Sequence, residues 1–149
     1  MKLSVLLAAF LMCSLGTSAQ SKEDKKAIKE TALNYIEGYF HKDVERMEKA
    51  LHPELVKRSV IKTKEGMEFV INLGATYMIM RTANNNNRHA ANPEGPIESE
   101  VEIYDIVGNA ATVKVSTNQY SFIDYLHIAK YKDEWKIINV LWTDVPKEE

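Results

Sequence analysis

Two runs near the C-terminus constrain the fold more than any other part of the chain. Ser121 to Tyr131 (SFIDYLHIAKY) and Trp135 to Val145 (WKIINVLWTDV) both alternate at a period of two, with Lys132-Asp133-Glu134 between them as a turn. Both faces of this hairpin are apolar. With the turn centred on Asp133, Leu126 faces Val140 and Ile128 faces Ile138 on one side, while Tyr125 faces Leu141 and Tyr131 faces Trp135 on the other. A sheet with one solvated face does not read this way. Helices can cover one face; a second copy of the chain is the simplest cover for the other, so a homodimer is expected.

The rest of the C-terminal half is also β. Val101 and Ile103 alternate with Glu102 and Tyr104, Gly108-Asn109 marks a turn, and Val113 and Val115 alternate with Thr112, Lys114 and Ser116. A further turn falls near Asn118-Gln119. The N-terminal half is helical instead. Ile28, Ala32, Tyr35, Ile36, Tyr39 and Phe40 recur at three- and four-residue spacing and make one stripe. Gly38 lies off that stripe and weakens the helix by about 1 kcal/mol relative to Ala. Asp43 is suited to cap a second, short helix carrying Val44, Met47, Ala50 and Leu51. Pro53 forces His52 out of helical geometry and ends it. Leu55 to Ile61 reads as a short extended segment. Thr63 is read as the cap of a third helix with a stripe of Met67, Val70, Ile71, Gly74, Tyr77 and Met78. Ala83 to Pro96 is a loop with an Asn84–Asn87 tract, long enough to be mobile or functional. Helices first and strands after indicate an α+β fold.

The N-terminus reads as an export signal. Lys2, then an apolar run from Leu3 to Leu15, then Gly16, Thr17, Ser18 and Ala19 form a secretory signal peptide over residues 1–19, cleaved after Ala19. The expected location is secreted or periplasmic. The run is too short for a membrane span of about 20 residues, and no second run follows. A lipoprotein signal needs a small residue before Cys13, and Met12 stands there. Cleavage removes the only cysteine, which excludes disulfides and thiol catalysis. What remains is the length of one domain, residues 20–149. The formal net charge of −2 becomes one unit more negative without Lys2, which argues against nucleic-acid binding.

Several residues are candidates for a site. Asp124 shares a face with Phe122, Leu126 and Ile128, so desolvation would raise its pKa toward the range of a general base; it would equally serve as a buried structural acceptor. His127 points to the opposite face, with Asn139 expected across from it, so it forms no dyad with Asp124. His52, Lys57 and Arg58 cluster after the short helix. Arg58 could clamp a carboxylate or ring amide, or the cluster could be a solvated surface run. Tyr35, Tyr39, Tyr77 and Trp142 offer flat surface with polar handles, or simply fill the core. His41, His52, His89 and His127 are too scattered for a metal site, and there is no phosphate-binding glycine loop or nucleophile elbow. No cofactor is expected.

The stretch YIEGYFHKDVERMEKALHPELVKRSV (residues 35–60), with FIDYLHIAKYKDEWKIINVLW (residues 122–142), resembles the putative lumazine-binding family of the nuclear transport factor 2-like (NTF2-like) superfamily. The resemblance covers residues 27–143; HPELVKR and DYLH are its specific parts. It implies the cone-shaped, cystatin-like α+β fold, with N-terminal helices packed on a curved antiparallel sheet and a pocket between them. It also implies a small-molecule ligand, pteridine-like by the family's name alone. Superfamily relatives include isomerases, dehydratases, polyketide cyclases, transport adaptors and plain binding modules, so fold does not fix function. The Asn-rich loop departs from the family's pattern. The residues expected to bind a ligand are His52, Arg58, Tyr39, Tyr77, Asp124 and Trp142. Non-covalent binding of a planar or hydrophobic molecule is the first expectation. An isomerase or dehydratase with Asp124 as general base is the second, and a ligand-free dimeric interaction module the third.

Overall fold

A computed structural model describes the backbone of residues 2–146 and the side chains of residues 22–146. The expected signal peptide, residues 1–19, lies outside the described side chains. Helix α1 (Lys2–His41) carries the predicted stripe, with Ile28, Ala32, Tyr35, Ile36 and Phe40 all buried. It ends where Lys42 takes a left-handed conformation (φ 61°) and the Asp43 N–H donates back to the Gly38 carbonyl at 2.9 Å. Asp43 then caps α2 (Val44–Ala50), its carboxylate accepting from the Arg46 N–H at 3.0 Å. The glycine that weakens α1 is what lets α2 turn back so closely. A Cβ at Gly38 would lie 3.1 Å from the Arg46 Cβ and 3.3 Å from the Asp43 carbonyl oxygen.

His52-Pro53 stops the helix, and strand β1 (Leu51–Lys62) starts at once. The next segment departs from expectation. Thr63 caps no helix; its hydroxyl accepts from the Met67 N–H in a turn, and residues 68–74 form strand β2 (Glu68–Gly74). The third helix, α3, begins only at Ala75 and runs to Ala83. Within β2 only Ile71 and Leu73 are half-buried, at a period of two. Pairing with β1 from Lys62↔Glu68 to Val56↔Gly74 satisfies the backbone groups that face β1 along the segment, and β-branched Val70 and Ile71 favour it.

Strands β3 (Ser99–Val107), β4 (Ala110–Thr117), β5 (Phe122–Tyr131) and β6 (Glu134–Asp144) form an antiparallel meander. β1 joins it in parallel beside β6, giving one curved, unclosed sheet in the order β2-β1-β6-β5-β4-β3. The sheet is therefore mixed, with one parallel pair. The three helices lie on its inner face.

The β5–β6 register follows the sequence reading from Tyr125↔Leu141 to His127↔Asn139 and then slips. The turn is two residues rather than three. Lys132 and Asp133 both have positive φ (49° and 64°), as a two-residue hairpin loop requires. Tyr131 therefore pairs with Glu134, not Trp135, and Ile128 pairs with Ile137, not Ile138. A bulge at Ile138 absorbs the extra residue. Trp135 and Ile137 turn inward into the core that also holds Ile28 and Ala32, while Ile138 turns outward.

Polar ties hold α1 to this hairpin. Thr31 donates its hydroxyl proton to the Trp135 carbonyl at 3.0 Å. The Asp24 carboxylate accepts from the Trp135 indole N–H at 2.9 Å and from the Lys130 ammonium at 3.0 Å. Those hydrogen bonds, Trp135's first, hold the Asp24 carboxyl below its usual range. The outer face of the sheet keeps apolar side chains in solvent, Val60, Val70 and Leu141 among them. Among the described residues no helix is long and apolar enough to cross a membrane.

Candidate functional site: an aromatic cavity over a buried ion pair

Beyond Ala32 the α1 stripe meets the sheet through the Tyr35 hydroxyl, which bonds Lys57 of β1 and Asp124 of β5. Tyr35, Ile36 and Tyr39 also form one wall of a cavity of about 770 Å³, with Tyr77, Met78 and Arg81 of α3 beside them. Period-two alternation in the strands supplies the opposite wall. Lys57 of β1, Ile71 and Leu73 of β2, Phe122 and Asp124 of β5, and Trp142 of β6 all face inward.

Three polar groups close a triangle in this cavity. The Lys57 ammonium donates to Asp124 Oδ1 at 2.7 Å and to the Tyr35 hydroxyl oxygen at 2.6 Å. The Tyr35 hydroxyl in turn donates to Asp124 Oδ2 at 2.9 Å. Asp124 is wholly buried and Lys57 nearly so. Burial and the neighbouring Asp124 charge push the Tyr35 phenol well above its ordinary range, so it remains a protonated donor. Burial pulls the Lys57 ammonium down, and the Asp124 carboxylate opposes that pull. Each oxygen of Asp124 thus already accepts a hydrogen bond from inside the protein.

The ammonium also sits among aromatic rings, 5.3 Å from the Tyr35 centroid, 5.5 Å from Phe122 and 5.6 Å from Trp142. The rings continue as a chain along the wall. Trp142 meets Phe122 edge-on at 6.2 Å, Phe122 stacks on Tyr120 at 5.1 Å, and Tyr120 leans on Tyr39 at 5.9 Å.

The Asn-rich loop forms the rim, and its order has a local cause. The last carbonyls of a helix lack intrahelical partners. Here Asn85 donates its side-chain amide to the Tyr39 carbonyl at 2.7 Å, and Asn87 donates to the Phe40 carbonyl at 2.9 Å. Tyr120 then donates its hydroxyl to Asn87 Oδ1 at 2.8 Å. The tract caps α1 and fixes Asn86, Arg88 and His89 at the cavity mouth.

The structure brings together four of the six expected ligand-binding residues: Tyr39, Tyr77, Asp124 and Trp142 all line the cavity. His52 and Arg58 do not. His52 takes the Glu54 N–H on its Nδ1 and packs edge-on against Tyr131 at 4.8 Å. Arg58 points to the outer face, donating to Asn72 at 3.0 Å and Asn139 at 2.7 Å. Alternation along β1 explains the split: Leu55, Lys57 and Ser59 are buried, so Arg58 is turned out. His127 also lies outward, against Asn139 at 3.1 Å. Tyr35 and Lys57, candidates from the sequence though not among those six, also line the cavity, and Phe122, Tyr120 and Arg81 join them without having been expected there. Among the described residues no three His, Cys, Asp or Glu side chains are grouped to hold a metal ion.

The architecture has many solved counterparts. An NTF2-like protein of unknown function from Shewanella baltica OS155 is 19% identical, covering 84% of this chain and 96% of its own, with a TM-score of 0.66. An NTF2-like protein with a cystatin-like fold from Novosphingobium aromaticivorans is 11% identical over 90% of each chain, with a TM-score of 0.62. A ketosteroid isomerase-like protein from Erwinia carotovora atroseptica SCRI1043 is 10% identical, covering 82% and 96%, with a TM-score of 0.55. At these identities the likeness is one of fold. No curated protein sequence matches this chain significantly. The model of the family described as "Putative lumazine-binding" matches residues 23–143, which include every cavity-lining residue except Asp144. The chain is therefore a member of the putative lumazine-binding family, and its fold is that of the NTF2-like proteins.

Proposed function

We propose that this protein binds a small planar or hydrophobic molecule, without covalent chemistry, in the cavity between α1, α3 and the sheet. One observation carries the reading: a cavity of about 770 Å³, walled by a continuous chain of aromatic rings, whose one buried carboxylate is already committed to internal donors. The volume is that of a small-molecule site, and flat rings suit a flat ligand. A pteridine is one such molecule, in keeping with the family's description. The open cavity weighs against a ligand-free interaction module.

The proposal includes export and pairing. Removal of residues 1–19 would deliver the domain outside the cytoplasm, and the apolar outer face of the sheet would be covered by a second copy. A second reading has a specific observation in its favour. Three acid–base groups, Asp124, Tyr35 and Lys57, converge at the cavity, as an isomerase or dehydratase would need. It ranks second because Asp124 is wholly buried and paired with Lys57, whereas a general base must present its carboxylate to the substrate.

Native mass spectrometry on the mature protein from its own host tests the proposal. The expected result is a dimer carrying extra mass, with the released compound identifying the ligand. A dimer without extra mass that also takes up neither lumazine nor flavin would remove the pteridine. Turnover of a released compound that stops on Asp124→Asn replacement would move the weight to the enzyme.

A further inference from the structure

The cavity has two polar ends, and they differ. At the deep end two buried side chains have N–H groups to spare. An ammonium carries three N–H groups, and Lys57 spends two, on Asp124 and on the Tyr35 hydroxyl. The rest of its surroundings are ring faces. The Trp142 indole N–H is a second, independent case: it is buried and has no acceptor among the described residues. Most buried donors in folded proteins are paired. Lys57 Nζ lies over the Trp142 ring, 5.6 Å from its centroid, so an oxygen that took both donors would draw the indole N–H round toward the ammonium.

The mouth is different in kind. Arg81 and Arg88 line it and are exposed. Arg81 gives one N–H to the Tyr39 hydroxyl at 3.4 Å, and Arg88 gives its Nε–H to Asn86 at 3.3 Å. A guanidinium has five N–H groups, so both retain donors. Asp144 is the single exposed acid on the rim, against two guanidinium groups. The chain of rings spans the distance between the two ends.

We infer that the ligand is an aromatic or fused-ring acid that inserts a carbonyl or similar uncharged oxygen between Lys57 and Trp142 and leaves its anionic group at the Arg81–Arg88 rim. This rests on the binding reading above and deepens it. The deep oxygen is uncharged because Lys57 is already neutralised by Asp124, so a buried anion would lack a counter-charge there. The outer group is anionic because water at the mouth solvates it while the guanidiniums attract it.

Calorimetric titration of the exported domain with four matched probes tests this: fluorene, fluorenone, and the carboxylate of each. Fluorenone is expected to bind about tenfold tighter than fluorene. The carboxylate is expected to add a severalfold gain at low salt that fades at high salt, whereas the carbonyl gain persists. Trp142→Phe, and separately Lys57→Met combined with Asp124→Asn, should reduce the carbonyl gain and spare the carboxylate gain. Arg81→Ala with Arg88→Ala should do the reverse. Equal affinity for fluorene and fluorenone overturns the buried acceptor. A carboxylate gain that is absent, or that survives loss of both arginines, overturns the rim. In either case binding of fluorene itself leaves the broader proposal standing. Failure of all four probes to bind removes that proposal and this inference together.

Discussion

Lys57 reaches past β6 to Asp124, joining two strands that are not neighbours in the sheet, through a 2.7 Å contact buried on both sides. Nothing else on the inner face combines opposite charges in this way among the described residues. Breaking such a pair on one side leaves an uncompensated charge in the interior. Asp124→Asn and Lys57→Met are each expected to destabilise the fold by about 3–5 kcal/mol, whereas the double replacement should recover most of that loss. Urea unfolding of the three variants gives the cycle directly. Single variants within about 0.5 kcal/mol of the parent would mean that the contact contributes nothing.

Tyr35 predicts an alkaline signature. Its folded pKa lies above the ordinary 10.0, so the folded state keeps a proton that the unfolded chain releases. That contribution to stability is complete below pH 10.0 and declines as the pH rises beyond it. Lys57 acts in the opposite sense. Its folded pKa lies below 10.5, so the unfolded chain binds more protons just under that pH, and stability rises with pH there. Tyr120 is raised too, by burial. In a tyrosinate absorbance titration of the folded protein Tyr35 and Tyr120 should therefore ionise late, and Tyr35→Phe should remove the later of the two. Full ionisation of every tyrosine without unfolding would contradict the buried triangle.

Asn87 is the third test. It is buried, sits at φ 53°, donates to the Phe40 carbonyl and accepts from Tyr120. Alanine would lose both bonds and the one that Asn87 Oδ1 accepts from the Asn85 amide, and it would tolerate the left-handed conformation less well. Asn87→Ala should cost about 2–3 kcal/mol and speed amide exchange across residues 84–91. Replacement of exposed Asn86 should stay within about 0.5 kcal/mol. Similar losses at the two positions would mean that the loop is not held by the Asn87 cap.

Periodicity made α1, α2 and the β3–β6 meander legible in the sequence, because each buries one regular face. It failed at β2. Met67, Val70, Ile71, Gly74, Tyr77 and Met78 fit a helical spacing by coincidence, although the first four lie on a turn and a strand and only the last two on α3. An edge strand with little burial leaves a weak pattern, and only its β-branched content spoke for it. The site divides in the same manner. Asp124 stood out because its strand neighbours are apolar. Lys57 was hidden in a basic pair, and its partner lies 67 residues away, beyond the reach of any local pattern. The alternation of Leu55, Lys57 and Ser59 against Val56, Arg58 and Val60 was the signal that separated the pair.

The bulge at Ile138 divides β6 into two halves of opposite parity. Before it, odd-numbered Trp135 and Ile137 face the helices; after it, even-numbered Val140 and Trp142 do. The first half is committed to solid packing under α1 and the second to the wall of a hollow. A single inserted or deleted residue upstream of Val140 would have to be absorbed at Ile138, or Trp142 would rotate out and Leu141 would rotate in. The strand thus behaves like a frame-shifted message, in which one spare residue decides whether the far half is read as scaffold or as vessel.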